Sequence, residues 1–206
     1  MSEQGPRYPR TPHLPNSPGV TADDLRGDWA DFAPRSDAFV ATLKMDGENT
    51  TLHRRGMYAR SPDGRSRPWQ DRMRALAAGV CPDIPEGWLV CGENLTVPHS
   101  IRYSRPVPPF AVFSIWEADT CLSWDDTREW AELLDLPTVP VIYRGHRPTL
   151  DGLHQAFEEY TDTEHDEGYV IRDAGSFERE DFAHRVAKWV RSGHVRTDDA
   201  WPARSA

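Results

Sequence analysis

The stretch Ala38–Arg55, AFVATLKMDGENTTLHRR, holds two strand-like runs on either side of a turn. Ala38–Leu43 and Thr50–Arg55 are rich in apolar and β-branched residues, which favour strands. The segment between them contains an Asp-Gly pair, a common turn dipeptide, and a third run, Met57–Ser61, follows after a single glycine. The pattern predicts an antiparallel meander of three strands, with Lys44 at the end of the first.

Elsewhere the chain alternates strand patterns with a few helical ones. Further strands are predicted at Gly87–Glu93, Phe110–Glu117, Thr138–Arg144, Gly168–Asp173 and Arg185–Arg191. Helical spacing of apolar residues is found at Asp71–Val80, at Asp125–Leu136 with Ser123 or Asp125 as the N-cap, and at Leu150–Tyr160 with Thr149 as the N-cap. Runs of strands with interspersed helices predict an α+β fold with largely antiparallel sheets flanked by a few helices.

Length and composition favour one globular domain. The 206 residues, 38% of them hydrophobic, suit a proline-rich N-terminal arm over residues 1–20 and a single domain over residues 21–206. No run of about 18 apolar residues marks a membrane span, and the N-terminus lacks the apolar core of a secretion signal. We therefore expect a cytoplasmic protein without a membrane partner.

Charge and cysteine content argue against two further classes of protein. A net charge of −9 argues against a protein that coats nucleic acid non-specifically, because such binding depends on a large basic face, although it leaves room for a local basic groove. Cys81, Cys91 and Cys121 are isolated and form no C-x-x-C pair. They predict reduced, packed thiols and neither a disulfide framework nor a zinc site.

Lysine is rare in this chain. Of the 24 lysine and arginine residues, only Lys44 and Lys188 are lysines. Arginine is effectively always protonated, whereas a lysine amine can become neutral when burial or nearby positive charge lowers its pKa, and can then attack an electrophile. These two positions are therefore candidates for chemistry that arginine cannot perform. The alternative is a coding preference for arginine that left two ordinary surface lysines.

Five motifs follow Lys44-Met45-Asp46-Gly47 in a definite order. They are Ala59-Arg60-Ser61, Cys91-Gly92-Glu93-Asn94, Phe110-Ala111-Val112-Phe113, Glu167-Gly168-Tyr169-Val170-Ile171-Arg172 and Val186-Ala187-Lys188-Trp189-Val190-Arg191. The series resembles the motifs of the covalent nucleotidyltransferases, which include ligases and mRNA capping enzymes, and most closely those of ATP-dependent RNA ligases. The resemblance covers about residues 38–191 and implies a nucleotidyltransferase (ATP-grasp-like ligase) domain.

The resemblance implies three catalytic residues. Lys44 is the implied nucleophile, which attacks the α-phosphorus of ATP to form a lysyl-AMP bond. Lys188 is implied to bind the α-phosphate, and its ammonium is expected to help lower the pKa of Lys44. Glu167 is implied to bind the catalytic magnesium ion, with manganese as an alternative. The preceding Glu164–Asp166 is predicted to be a solvated acidic turn.

Matched motifs also imply contacts with the nucleotide. Phe113 is implied to stack on the adenine, Glu93 to accept hydrogen bonds from the ribose hydroxyls, and Arg60 to contact the nucleotide or the 5′-phosphate of the acceptor strand. Three residues around the nucleophile are also assigned to nucleotide binding: Leu43, Asp46 and Asn49. Asp46 and Asn49 are implied to shape the loop and to hydrogen-bond the nucleotide or Lys44. From the residues alone, Phe113 is equally a buried core residue and Glu93 a surface glutamate at a strand end.

Three positions depart from the family pattern. Leu43 replaces the acidic residue that often precedes the nucleophile, and Ser114 replaces an aspartate after the aromatic of the third motif. Val186 stands where the last motif usually carries its first lysine. Arg191 is a candidate to replace that missing charge.

The implied substrate is RNA with 5′-phosphate and 3′-hydroxyl ends. The candidate RNA-binding residues are Arg60, Arg102 and Arg191, because arginine pairs with phosphate and stacks on bases. Some relatives continue into an OB-fold domain after the last motif, and the length of this chain leaves no room for one. A partner protein that supplies a second domain is therefore a further expectation.

Two alternatives remain open at this point. One is an enzyme that stops after transferring AMP or GMP to RNA, protein or a small molecule. The other is a non-catalytic nucleic-acid-binding relative. The presence of Lys44, Lys188 and Glu167 argues against the second.

Overall fold

The computed structural model describes residues 5–33, 36–60, 71–96, 103, 105–161 and 166–192. These residues form ten strands: β1 Phe39–Lys44, β2 Glu48–His53, β3 Gly56–Ala59, β4 Trp88–Asn94, β5 Phe110–Glu117, β6 Thr120–Cys121, β7 Val141–Gly145, β8 Gly168–Asp173, β9 Phe177–Glu178 and β10 Val186–Val190. They also form the helices α1 Asp71–Val80, α2 Trp124–Leu133, α3 Leu150–Tyr160 and α4 Phe182–Arg185. None of the described helices is long and apolar enough to cross a membrane.

The strands form two antiparallel sheets. The smaller has the order β10-β8-β1-β7 and the larger the order β3-β2-β4-β5-β6-β9. Every pairing between these strands is antiparallel. The predicted α+β fold with largely antiparallel sheets is confirmed.

The predicted meander is wrong at its first step, because β1 and β2 belong to different sheets. β1 lies between β7 and β8, whereas β2 lies between β3 and β4. Phe39–Leu43 is buried along its whole length, so β1 is a central strand and its partners come from distant parts of the chain. Gly47 carries the chain to the second sheet; a Cβ there would lie 2.5 Å from the carbonyl oxygen of Asn94.

Most other elements lie where the sequence predicts them. α1, α3, β5 and β8 have the predicted bounds. α2 begins one residue early, after Ser123, whose Oγ accepts a hydrogen bond from the Asp126 N–H at 3.1 Å. β7 begins at Val141, three residues late, because Val139 on the other side of Pro140 bonds to the larger sheet through the Val112 carbonyl at 2.9 Å.

The proline-rich N-terminal segment packs along β10. The N–H of Lys188 donates to the Pro12 carbonyl at 2.9 Å, and the N–H of Leu14 donates to the Lys188 carbonyl at 2.7 Å. His13 and Leu14 are each 2% exposed. The segment is therefore part of the packed structure at the level of Lys188.

We expect Gly168→Ala to lower the free energy of unfolding by roughly 2 to 5 kcal/mol. Gly168 has φ of 155°, and a Cβ there would lie 2.0 Å from the Trp189 carbonyl oxygen in the neighbouring strand. Urea unfolding measures the change. The control is Gly79→Ala in α1, where a Cβ meets nothing within 4 Å and stability should be unchanged or slightly higher. Equal stability of the two variants would contradict the predicted clash.

Candidate active site

Neighbouring strands of the smaller sheet bring the two lysines and Glu167 together. β1 pairs with β8 so that Lys44 lies opposite Gly168, the residue after Glu167. β8 also pairs with β10, which places Lys188 opposite Val170. Residues far apart in the sequence are therefore fixed in one site by strand register.

Lys44 and Glu167 form an ion pair. Nζ of Lys44 donates to Oε2 of Glu167 at 2.6 Å, and the two side chains are 25% and 7% exposed. Burial by itself would lower the pKa of this amine, but the charge of Glu167, followed by that of Glu93 and Asp46, raises the pKa above its usual value. The expected lowering of the pKa of Lys44 by Lys188 is wrong for this arrangement, because acidic groups dominate its surroundings.

Lys188 is the lysine whose pKa is lowered. Burial, followed by the positive charge of Lys44, lowers the pKa of Lys188 to about 8, against the opposing charges of Asp24 and Glu167. Its side chain borders the same cavity as Lys44. Lys188 is thus a cation that loses its charge slightly above neutral pH.

Glu93 and Asn49 lie side by side on the larger sheet, on β4 and β2. The Gly47 N–H donates to Oε1 of Glu93 at 3.0 Å. Burial raises the pKa of Glu93 to about 8, against the opposing charge of Lys44. Oδ1 of Asn49 is buried and has no hydrogen-bond partner among the described residues, so it is an acceptor available to a bound molecule.

A cavity of about 350 Å³ opens between the two sheets, a size within the usual range for small-ligand sites. Of the residues that the motifs select, it is lined by Leu43, Lys44, Asn49, Arg60, Glu93, Phe113 and Lys188. Arg60 is held beside Asn49, whose carbonyl accepts its N–H at 2.9 Å. Phe113 is half-buried and borders the cavity, so it is both a packing residue and available to a ligand.

Asp46 is a buried residue of the connection between β1 and β2, two positions after Lys44. It is 5% exposed, and its N–H donates to the Tyr103 hydroxyl at 2.6 Å. It is not a lining residue of the cavity. Its charge nevertheless contributes to raising the pKa of Lys44.

The three departures from the motif pattern are buried side chains. Leu43 is 1% exposed, belongs to the core, and donates its N–H to the Pro140 carbonyl at 2.8 Å. Ser114 is 2% exposed and accepts a hydrogen bond from Nε1 of Trp116 at 3.1 Å. Val186 is 3% exposed. All three also border the cavity, and an acid or a lysine in these places would need a partner of opposite charge.

The predicted solvated acidic turn is wrong for Asp166. Asp166 is 3% exposed, and Nη2 of Arg105 lies 3.1 Å from its Oδ1. A buried carboxylate is stable there because a guanidinium pairs with it. The rest of the predicted turn, residues 164 and 165, lies outside the described residues.

The candidate RNA-binding arginines are only partly located. Arg102 lies outside the described residues. Arg191 is half-buried and does not line the cavity, but its N–H donates to the Glu167 carbonyl at 3.1 Å. Of the two that the structure describes, Arg60 borders the cavity and Arg191 does not.

Part of the cavity comes from a segment that the motifs do not mark. Tyr8, Arg10, Thr11, Asp24 and Leu25 line it from the N-terminal side. A proline-rich composition predicts an extended chain but not its destination. Arg10 could not be singled out from the sequence, because nearly all of the 24 lysine and arginine residues are arginines.

The carboxylates beside Lys44 suit a magnesium or manganese ion. Among the described residues, no three or more His, Cys, Asp or Glu side chains cluster as a complete ligand set. Magnesium typically takes one or two carboxylates and completes its shell with water and phosphate oxygens, so a full protein cage is not needed. Glu167 already pairs with one cation, the ammonium of Lys44, which shows that its carboxylate fits a positive charge.

Comparisons with known proteins agree with this fold. A family model described as RNA ligase matches residues 37–190. Similar solved structures include a variant of the Naegleria gruberi RNA ligase with ATP and Mn, with 14% identity over 76% of this chain and 50% of that chain and a TM-score of 0.54. An archaeal ATP-dependent RNA ligase has 18% identity over 76% of this chain and 43% of that chain, with a TM-score of 0.55.

A putative ATP-dependent DNA ligase from Aquifex aeolicus has 21% identity over 76% of this chain and 44% of that chain, with a TM-score of 0.52. At these identities the likeness shows the fold, and the predicted ligase-type nucleotidyltransferase domain is confirmed. The chain spans about half the length of these solved ligases, from 43% to 50%. A search of curated proteins found no match.

Proposed function

Because the chain belongs to the RNA ligase family, we propose that it is an ATP-dependent RNA ligase that joins 5′-phosphate and 3′-hydroxyl RNA ends through a lysyl-AMP intermediate. One observation carries the proposal. The two lysines of the chain border the same ligand-sized cavity, and one of them is paired with Glu167. A coding preference for arginine would not explain why the two lysines border the same cavity.

In the first step the neutral amine of Lys44 attacks the α-phosphorus of ATP. An N–P bond forms, the bond to the bridging oxygen breaks, and pyrophosphate leaves with the electron pair. The ammonium must first release its proton to solvent, and the carboxylate of Glu167 at 2.6 Å opposes that loss. Lys188, cationic at neutral pH, binds the α-phosphate and stabilises the charge that develops on it.

Other residues of the cavity fix the nucleoside. Phe113 offers a ring for stacking on the adenine, a contact worth about 1–3 kcal/mol by analogy with other base–aromatic pairs. Oδ1 of Asn49 accepts a hydrogen bond from the nucleotide, and Glu93 binds the ribose hydroxyls. Asp46 stabilises the connection that follows Lys44. Holding the α-phosphorus in line with the amine lowers the activation free energy, because the translational and rotational entropy of the two groups is already lost when ATP binds.

We propose magnesium or manganese as the cofactor, held by Glu167. A bound divalent metal would neutralise phosphate charge and compete with the Lys44 ammonium for the carboxylate. The Naegleria gruberi structure that contains ATP and Mn supports this assignment. The protein's own contribution is to hold Glu167 at 7% exposure, where its charge is weakly screened.

Two further transfers complete the proposed reaction. The 5′-phosphate oxygen of RNA attacks the lysyl-AMP phosphorus, which breaks the N–P bond and returns the amine to Lys44. The 3′-hydroxyl of the second end then attacks the 5′-phosphate phosphorus, loses its proton and releases AMP. Arg60 and Arg191 are proposed RNA contacts. A partner protein with a second domain, and a cytoplasmic location, are parts of the same proposal.

The experiment is a labelling assay followed by a chase. The purified chain is incubated with Mg²⁺ and ATP carrying ³²P at the α-phosphate, denatured, and examined for label on the protein. The labelled protein is then isolated and mixed with nicked or single-stranded 5′-phosphate RNA. We expect an acid-labile adduct that disappears as longer RNA forms.

Each other outcome selects one of the alternatives. An adduct that moves to RNA, protein or a small molecule without lengthening the RNA indicates a transferase. Stronger labelling with GTP than with ATP indicates that GTP is the preferred substrate. Absence of an adduct with either nucleotide contradicts the proposal and favours a non-catalytic nucleic-acid-binding protein.

A further inference from the structure

The segment Tyr8–Leu25 forms one wall of the cavity that contains both lysines. Its lining side chains include one cation, Arg10. The segment precedes residues 37–190, the part of the chain that matches the RNA ligase family. This wall is therefore a feature of the present chain and does not come from the matched motifs.

Arg10 lies between two anchored residues. Two positions before it, the ring of Tyr8 packs edge-on against Phe113, with ring centroids 4.9 Å apart. Two positions after it, the Pro12 carbonyl accepts the N–H of Lys188 at 2.9 Å. The backbone of Arg10 is thus fixed on both sides, against two residues that border the cavity.

The chain beyond Pro12 is fastened as well. The Leu14 N–H donates to the Lys188 carbonyl at 2.7 Å, and the Val190 N–H donates to Oγ of Ser17 at 3.0 Å. Nδ1 of His13 lies 2.8 Å from the same oxygen, in a buried contact. The N-terminal segment therefore runs beside β10 as a defined wall.

The guanidinium of Arg10 is positioned beside other cations. Its Nη2 donates to the Asp23 carbonyl at 2.5 Å, which orients the side chain without neutralising it. Burial, followed by the positive charge of Arg10, lowers the pKa of Arg60. Arg10, Arg60 and Lys188 all border the cavity. Arg10 and Arg60 repel each other, and a bound polyanion would relieve that repulsion.

We propose that Arg10 binds the β- and γ-phosphates of the nucleoside triphosphate, which become the pyrophosphate leaving group. The proposal rests on the proposed function. In the proposed reaction Lys44 and Lys188 define the position of the α-phosphate, and Arg10, which is itself exposed, reaches the cavity from the N-terminal wall, where the outer phosphates would extend. A guanidinium binds phosphate oxygens in pairs and keeps its charge at every relevant pH.

The test measures the triphosphate and the monophosphate separately. Arg10→Ala, Arg10→Lys and the control Arg7→Ala are compared in the full chain. Arg7 lies on the same segment, is exposed and does not line the cavity. For Arg10→Ala we expect the KM for ATP in lysyl-AMP formation to rise roughly tenfold or more, as for the loss of one charge-assisted hydrogen bond, with a smaller rise for Arg10→Lys. AMP affinity should not change.

The reverse reaction gives a second readout. Isolated lysyl-AMP protein is mixed with pyrophosphate, and the concentration needed for half-maximal ATP release should rise by the same factor in Arg10→Ala and not in Arg7→Ala. If the unaltered protein forms no adduct, the proposed function fails. If it forms the adduct and Arg10→Ala matches Arg7→Ala, or loses AMP affinity as much as ATP affinity, the assignment of Arg10 alone is overturned.

Discussion

Replacing Lys44 with arginine is expected to abolish the transfer of label from ATP to the protein. Arginine keeps the positive charge next to Glu167, so the ion pair at this position is retained, but a guanidinium stays protonated and does not attack phosphorus. We expect the rate to fall by about 10⁴-fold or more, below detection in a standard assay, because the guanidinium at position 44 cannot form the covalent bond. Denaturing gels with labelled ATP measure the loss.

The controls separate loss of the nucleophile from loss of the fold. Lys44→Arg should keep the thermal midpoint within a few degrees of the original, because the carboxylate of Glu167 remains paired. Lys44→Ala should be equally inactive but less stable, because it leaves a largely buried carboxylate without this partner. An adduct of normal intensity on Lys44→Arg would show that Lys44 is not the nucleophile.

Lys188→Ala is expected to slow lysyl-AMP formation by roughly 10²- to 10³-fold, the usual effect of removing one group that stabilises charge in a transition state.

The pH dependence of the reaction is a sharper test of Lys188. The pKa of Lys188 is lowered to about 8, so the side chain is charged below that pH and neutral above it. In the unaltered protein, kcat/KM for ATP should rise with pH as more of the Lys44 amine becomes neutral, and this rise should level off as the pH passes through about 8, where Lys188 loses its charge.

Lys188→Arg is the matched variant for this pH dependence. Arginine remains charged, so the levelling of kcat/KM near pH 8 should disappear while some activity is retained. In a Lys44→Arg background, where the nucleophile no longer titrates, the affinity for ATP measured without turnover should fall as the pH rises through about 8. If the pH profile of Lys188→Arg still levels off near the same pH as that of the unaltered protein, another group is responsible for the titration.

The sequence predicts elements whose pattern is local. β5 and β8 are apolar runs bounded by turns, and α3 combines a Thr149 cap with regular apolar spacing, so their bounds are as expected. The partners of β1 are not local. Its neighbours β7 and β8 lie far along the chain, and an Asp-Gly pair predicts a turn without specifying which sheet the next strand joins.

In the candidate site, too, the sequence predicts the features that depend on local motifs and not those that depend on distant residues. Lys44, Glu93, Phe113 and Lys188 were selected by motif order, and the structure brings all four to the same cavity. Their electrostatics could not be predicted, because the pKa of Lys44 depends on carboxylates supplied by other strands. Arg10 was missed for a related reason, since its position depends on contacts made by Tyr8 and Pro12 with distant residues.

The ion pair between Lys44 and Glu167 also has a consequence for the protein at rest. Cyanate, aldehydes and activated acyl compounds modify the neutral form of an amine, and a raised pKa leaves very little of that form at neutral pH. Until nucleotide arrives, Lys44 is thus chemically inert towards common small electrophiles. The ion pair with Glu167 therefore slows attack by Lys44 on phosphorus and also protects the amine from chemical modification.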